Sequence, residues 1–428
     1  MNAAIDYTRD VIARWGDPDP KYIPLLKEGG ITAVLPERVD ETFERALKEA
    51  GIKPLAPGAI KSAKAEEIEK LPPGAGVALR SGLWPGIARG GSATGNDETA
   101  SASREPWVDA DSFWVRWLRA MFPQRAPLLG YLPDADAGVK PDRVVPFDSH
   151  ELALIDARSA GGNYILALEA RFRESLLKGD PKARAAWSDL GRTARWLAEH
   201  DNLFHNPVLP VVTLLVEGGE ETAEIANLAY RRCVSPALER VDSPPPPDPS
   251  RRLAIVAANI RPPKPQIKAR ILAHAAAGAS VIVAAAPENA WWKDPRLKLL
   301  KSQEDREFFT FGKGQVVAYK DSIQDPSEFA LDVIDIVTHR RRAVRIWNAP
   351  SVIAVATSAD PRSGAQVILV NYGRAMDYEM QARVQGFYTK ASLLRPEKPP
   401  LELKTFKRGS CTEVMVPELQ KLGVLVFS

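Results

Sequence analysis

Val77-Ala78-Leu79-Arg80-Ser81-Gly82, then Leu83-Trp84-Pro85-Gly86-Ile87, then Gly90-Gly91-Ser92-Ala93-Thr94-Gly95-Asn96-Asp97-Glu98, is the stretch on which the fold turns. Its first residues form a short apolar run closed by glycine, the pattern of a buried strand. The residues from Leu83 to Glu98 are too rich in Gly, Ser and Asn to be a helix. Arg104-Glu105-Pro106-Trp107-Val108-Asp109 comes next, and from Asp111 the residues Phe113, Val115, Trp117, Leu118, Met121 and Phe122 have helical spacing that Pro123 and Pro127 stop. Leu128-Leu129-Gly130-Tyr131-Leu132 is then a second strand, ending in Pro133-Asp134. A loop this long between strand and helix is functional or disordered, and its tryptophans and acids argue against disorder.

Outward from this stretch, strands and helices alternate. Apolar runs at 11–15, 32–35 and 52–56 precede Val77, and further runs at 163–168 and 211–216 come after Leu132. Helices lie between them, with Gly29-Gly30, Gly51 and Gly161-Gly162 as stops. Such alternation predicts a parallel sheet with right-handed crossovers. Seven or eight βα units over residues 1–242 predict a (β/α)8 barrel, with an open doubly wound sheet as the runner-up; the glycines after the strands lack the dinucleotide-binding pattern. Ser243-Pro244-Pro245-Pro246-Pro247-Asp248-Pro249 reads as a stiff connector and domain boundary. Residues 250–345 then read as a small α/β domain, in which Gly312-x-Gly314 is a turn before a strand. From 346 to 428 the period changes to two and the strands shorten, which predicts an antiparallel β-sandwich.

At 428 residues the chain suits two or three domains, and a formal charge of +3 with interspersed signs leaves no nucleic-acid footprint. Arg340-Arg341-Arg342 is the one basic run, and it comes after a predicted helix whose C-terminus cations complement. Two cysteines far apart, Cys233 and Cys411, give neither a disulfide framework nor a metal spacing. The five histidines are likewise scattered, so no metal and no cofactor is expected. No apolar run reaches membrane-spanning length, and no leader is visible. A secreted or periplasmic bacterial protein is expected if a leader has been removed, a cytoplasmic one otherwise.

The order of barrel units, small α/β domain and terminal sandwich resembles the multidomain glycoside hydrolases of the β-galactosidase type. Locally the likeness rests on Phe311-Gly312-Lys313-Gly314-Gln315-Val316-Val317 with Asp325-Pro326, and on Val416-Pro417-Glu418-Leu419 and Val424-Leu425-Val426. The resemblance implies a catalytic barrel, a glutamine-amidotransferase-like domain and a C-terminal sandwich. It implies a nucleophile at Glu217, at the end of the seventh run. The family's Asn-Glu pair after the fourth strand is missing here; the nearest acid is Glu105.

Glycoside hydrolysis needs two carboxylates across the scissile bond, and in a barrel the C-terminal strand ends converge on one rim. The catalytic candidates are Glu217, Glu169, Asp134 and Glu105. Trp84, Trp107, Tyr131 and Trp15 are candidates to stack on sugar rings, with Asp109 and Glu37 for hydroxyls. Acids after strands also cap the next helix, so each of these has a competing structural role. Two functions stand as expectations: a hydrolase of a glycoside or polysaccharide, or a non-catalytic glycan-binding or scaffold protein on a degenerate barrel. Carbohydrate is the expected partner in both, with homo-oligomerisation through the second domain.

Overall fold

The computed structural model describes residues 4–72, 76–80, 109–130, 145–218, 220–338, 341–360 and 364–428. The chain divides into two compact units, Met1–His205 with Arg395–Pro399, and Asn206–Leu394 with Pro400–Ser428.

In the first unit the order is β1 (Ile12–Trp15), α1 (Ile23–Glu28), β2 (Ala33–Pro36), α2 (Glu41–Glu49), β3 (Lys53–Pro54), β4 (Ile60–Ala63), α3 (Ala65–Ile68), β5 (Gly76–Leu79), α4 (Asp111–Met121), β6 (Leu128–Leu129), α5 (Ser149–Ser159), β7 (Asn163–Tyr164), α6 (Ala170–Leu177) and α7 (Pro181–Glu199). Acidic residues start several of the helices. The Asp40 carboxylate accepts from Phe43 N at the head of α2, and Asp180 accepts from Ala183 N at the head of α7, where Pro181 supplies a pre-set φ. Strands β1-β2-β3 and β4-β5-β6-β7 form two parallel sheets. A parallel bridge between Ala13 and Leu166 links them, with Arg14 N donating to Leu166 O and Leu166 N to Ile12 O, both at 2.8 Å.

The strands therefore run in the order β3-β2-β1-β7-β6-β5-β4, with the chain neighbours β3 and β4 at the two ends. Ile12, Ala33, Leu35, Ile60, Ala78, Leu128 and Ile165 pack into one buried cluster, so the sheet curls around a shared interior. One layer further along the strands, Arg14 Nη2 of β1 donates to Ser62 Oγ of β4 at 3.2 Å.

The second unit begins with β8 (Val212–Val216), α8 (Glu220–Arg231), β9 (Ala237–Arg240), β10 (Ala254–Ala258), α9 (Pro265–Ala277), β11 (Ser280–Ala284), β12 (Lys298–Ser302), β13 (Arg306–Phe311), β14 (Gly314–Tyr319) and α10 (Pro326–Val337). These strands make one sheet in the order β12-β13-β14-β11-β10-β8-β9. From β9 to β14 the neighbours are parallel, and the β13–β12 hairpin continues antiparallel. In chain order the parallel part reads 2-1-3-4-5, a doubly wound arrangement with its switch point between β8 and β10.

Two expectations are corrected here. The run at 211–216 is not a seventh barrel strand: β7 bonds back to β1, and β8 pairs with β9 and β10. The proline tract is not a boundary at 242–250 either. It joins β9 to β10 inside one sheet, and α9 holds it, with Arg270 Nη2 bonded to Pro244 O and His274 Nε2 3.0 Å from Pro245 O. Proline marks a stretch that cannot join a ladder; it does not say whether the stretch spans two domains or two strands. The Gly312-x-Gly314 turn is as expected. It links β13 to β14, with Gly312 at φ +62° and its missing Cβ 2.6 Å from Ala276 Cα.

The remaining strands are β15 (Val344–Trp347), β16 (Val352–Thr357), β17 (Ala365–Asn371), β18 (Met380–Gln385), β19 (Ala391–Arg395), β20 (Lys398–Leu403), β21 (Phe406–Arg408), β22 (Cys411–Val416) and β23 (Leu422–Phe427). They form two sandwich-like sheets, β15-β18-β22-β21 and β16-β17-β23-β19-β20. Alternation is clean in β18, where Met380, Ala382 and Val384 are buried and Gln381, Arg383 and Gln385 face outward. Ser235 Oγ donates to Ala354 O at 2.7 Å, so these sheets share a unit with the doubly wound sheet.

Candidate functional site

The C-terminal ends of β2, β1 and β7 are adjacent in the first unit, and the residues leaving them form its described rim. Gly16 and Asp17 come after β1, Glu37 after β2, and Glu169 to Arg173 after β7, where they open α6. A Cβ on Gly16 would stand 2.9 Å from Glu37 Oε2 and 3.1 Å from Arg173 Nη1. The carboxylate and the guanidinium therefore converge on the bare backbone of Gly16. Arg173 Nε is also 3.8 Å from Asp17 Oδ2. Glu37 is exposed, and Arg14 and Ser62 make their accessible hydrogen bond at the same ends of β1 and β4.

The other candidates take different places. Glu169 is 7% exposed and is the N-cap of α6, its Oε1 accepting from Phe172 N and its Oε2 from Arg171 N, each at 2.8 Å. Arg171 Nε lies 3.6 Å from it. Both carboxylate oxygens are thus engaged in starting a helix. Trp15 is 3% exposed and meets Tyr22 edge to face at 6.0 Å, its Nε1 donating to Asp17 O. It shapes the turn that carries Gly16 and Asp17 from below, as core. Asp109 is 2% exposed, just before α4. Trp84, Glu105, Trp107, Tyr131 and Asp134 lie outside the described residues.

Glu217 sits at the end of β8, in the second unit. Its Oε1 accepts from Arg261 N and its Oε2 from Arg261 Nε, both at 2.6 Å. Arg261 comes after β10, so this two-point link spans the switch point of the doubly wound sheet, where such sheets open their crevice. Beside it Asn259, at φ +52°, is pinned by both side-chain ends to Ile323 O and Ile323 N. Among the described residues no group of three His, Cys, Asp or Glu could hold a metal ion.

Behind Glu169, His150 is fully buried in α5, with Glu169 N 3.4 Å from its Nε2 and the Phe172 ring 5.2 Å away. Burial pushes its pKa down to about 4, against a smaller opposing pull from backbone carbonyl contacts. The imidazole is neutral in the folded protein at pH values where the unfolded chain already binds a proton. The unfolded state therefore holds more protons between about pH 6.5 and pH 4, and stability falls as pH drops through that window, by about 3 kcal/mol at its lower end. Urea midpoints of wild type and His150→Gln at pH 7, 5.5 and 4.5 should converge as pH falls. Parallel curves would remove His150 as the cause.

The sequence reading, which took acids and aromatics as its candidates, did not include Arg14, Ser62 or Arg173. Alternation along β1 and β4 gives a signal for the first two, since both share the inward parity of the buried cluster; Arg173 has none.

No protein-family model matches the sequence, and no curated protein is significantly similar to it. Solved structures that it resembles include several glycoside hydrolases. α-L-Fucosidase isoenzyme 2 from Paenibacillus thiaminolyticus shares 10% identity at TM-score 0.49, over 96% of this chain and 80% of that one. A β-galactosidase from Bacillus circulans sp. alkalophilus shares 10% at TM-score 0.47, over 85% and 65%. An exo-carrageenase from Bacteroides ovatus shares 12% at TM-score 0.45, over 96% and 57%. The chain thus spans less than two thirds of the last two proteins. The likeness is one of remote architecture.

Proposed function

We propose that this is a carbohydrate-recognising protein of glycoside-hydrolase-like architecture, and that the first unit receives its sugar at the β2-β1-β7 rim. The observation that carries the reading is the convergence of Glu37 and Arg173 on Gly16. A sugar hydroxyl both donates and accepts, and a carboxylate beside a guanidinium offers it one partner of each kind. The curved parallel sheet is read as a closed barrel with fewer than eight strands, in which β3 and β4 are two halves of one kinked strand. Recognition is preferred to cleavage because the two described acids expected to do chemistry are engaged at both oxygens, Glu169 by two backbone N–H groups and Glu217 by Arg261. The exposed Glu37 favours a second reading, hydrolysis with Glu37 as acid or base.

A glycan panel read by calorimetry, run beside a panel of chromogenic glycosides, separates the two. On the first reading wild type binds a glycan without turning it over, and Glu37→Gln and Arg173→Gln each weaken binding about tenfold, the loss of a charge-assisted hydrogen bond. Turnover that Glu37→Gln abolishes and Glu217→Gln spares would establish the second. Neither binding nor turnover across both panels would reject both.

A further inference from the structure

The outer face of the β15-β18-β22-β21 sheet carries a set of arginines that no local spacing announces. Register places Arg345 opposite Arg383, Arg383 opposite Glu413, and Glu413 opposite Phe406. One step along, Gln385 faces Cys411 and Cys411 faces Arg408. Like charges directly opposite each other in a sheet are destabilising, and such breaches of local rules concentrate at functional positions.

The arrangement is held firmly. Glu413, with its side chain 5% exposed, accepts from Arg383 Nε at 2.6 Å through Oε1 and from Arg408 Nε at 3.1 Å through Oε2. The Arg345 and Arg383 guanidinium carbons lie 4.3 and 4.9 Å from the centre of the Trp347 ring. Of the basic run at 340–342, Arg340 lies outside the described residues and the other two have different surroundings. Arg341 Nε donates to Val337 O at the end of α10, as expected of a helix-terminal cation, while Arg342 is held below the usual guanidinium range chiefly by burial and to a smaller extent by the repulsion of Arg345 and Arg383. A cleft of about 320 Å³ opens between Arg383, Arg408, Gly409, Ser410 and Cys411. One carboxylate thus fixes the planes of two guanidinium groups and leaves the face with an excess of positive charge at the edge of a small cleft.

We infer that this cleft binds an oxyanion, a carboxylate, sulfate or phosphate group, either as a free ion or carried on a sugar acid. Guanidinium forks match the planar or tetrahedral oxygens of such groups, and a preset fork loses less freedom on binding. This site stands on its own residues and is independent of the rim proposed above.

Titration calorimetry of the intact protein with sulfate, phosphate, glucuronate and, as a neutral comparison, glucose tests it at fixed ionic strength. Saturable binding of at least one oxyanion is expected, weakened about tenfold or more in Arg345→Gln/Arg408→Gln, which leaves Arg383 to hold Glu413. Arg374→Gln/Lys390→Gln removes two exposed cations elsewhere and should bind as wild type does; circular dichroism confirms that both variants are folded. Preference for glucuronate identifies a sugar acid as the source of the group, and equal binding of sulfate or phosphate identifies a free ion. Absence of saturable oxyanion binding overturns the inference. So does glucose binding equal to glucuronate, or equal weakening in the two double variants.

Discussion

Trp187→Ala should destabilise the first unit by about 3–5 kcal/mol, the cost of deleting a large buried aromatic side chain. The indole is fully buried, and its Nε1 donates to Leu25 O of α1 at 2.7 Å. Gly29, at the end of α1, sits so close over the ring that a Cβ there would lie 2.2 Å from Trp187 carbons. One turn along, a Cβ on Gly191 would stand 2.0 Å from Glu28 O. Helices α1 and α7 therefore meet backbone to backbone around one side chain. Truncation leaves both a cavity that this close contact cannot collapse to fill and a carbonyl without its donor. Trp187→Phe keeps most of the volume and should cost about 1–2 kcal/mol, near the worth of the lost hydrogen bond plus a small void. Urea unfolding with unchanged m-values measures both. An alanine variant within about 1 kcal/mol of wild type would show that the helices repack without the indole.

Glu413→Gln is the second large effect expected, about 2–4 kcal/mol, placed below the usual cost of breaking a buried pair because Arg408 can turn to water. The Arg408 side chain is 64% exposed, whereas that of Arg383 is 24% exposed and stays against Trp347. Removing the carboxylate leaves the arginines of β15, β18 and β21 without the negative charge on β22 that lies between Arg383 and Arg408. The loss should therefore shrink in high salt, which screens like charges. A salt-independent loss would instead point to packing. Arg345→Gln in the same background should recover part of the stability, by relieving repulsion across the Arg345–Arg383 pair.

The strands were largely legible in the sequence, but their partners were not. The apolar runs at Val77, Leu128 and Val211 fall on β5, β6 and β8, and the glycine pair Gly29-Gly30 does end α1. Yet β8 reads like any other strand buried on both faces, because a parallel strand covered by helices shows a continuous apolar run whichever sheet it enters. What decides its sheet is the pair of backbone bonds from β7 back to β1, a long-range contact that no local pattern encodes. The candidate site was legible in the same uneven way. Glu37 was found from its place after a strand. Arg173 was not, since its approach to Gly16 depends on the capped start of α6. The arginines of the outer sheet face come from three strands, and only register brings them together.

The path of the proline tract has a practical consequence for dissecting the protein. A cut at residues 243–249 would strand β8 and β9 on one piece and their neighbour β10 on the other, exposing raw edges that invite aggregation. A cut after His205 keeps the doubly wound sheet whole and parts only residues 395–399 from the first unit. Expression of residues 206–428 alone is the fragment most suited to yielding soluble material, and proteases should leave the prolines largely untouched.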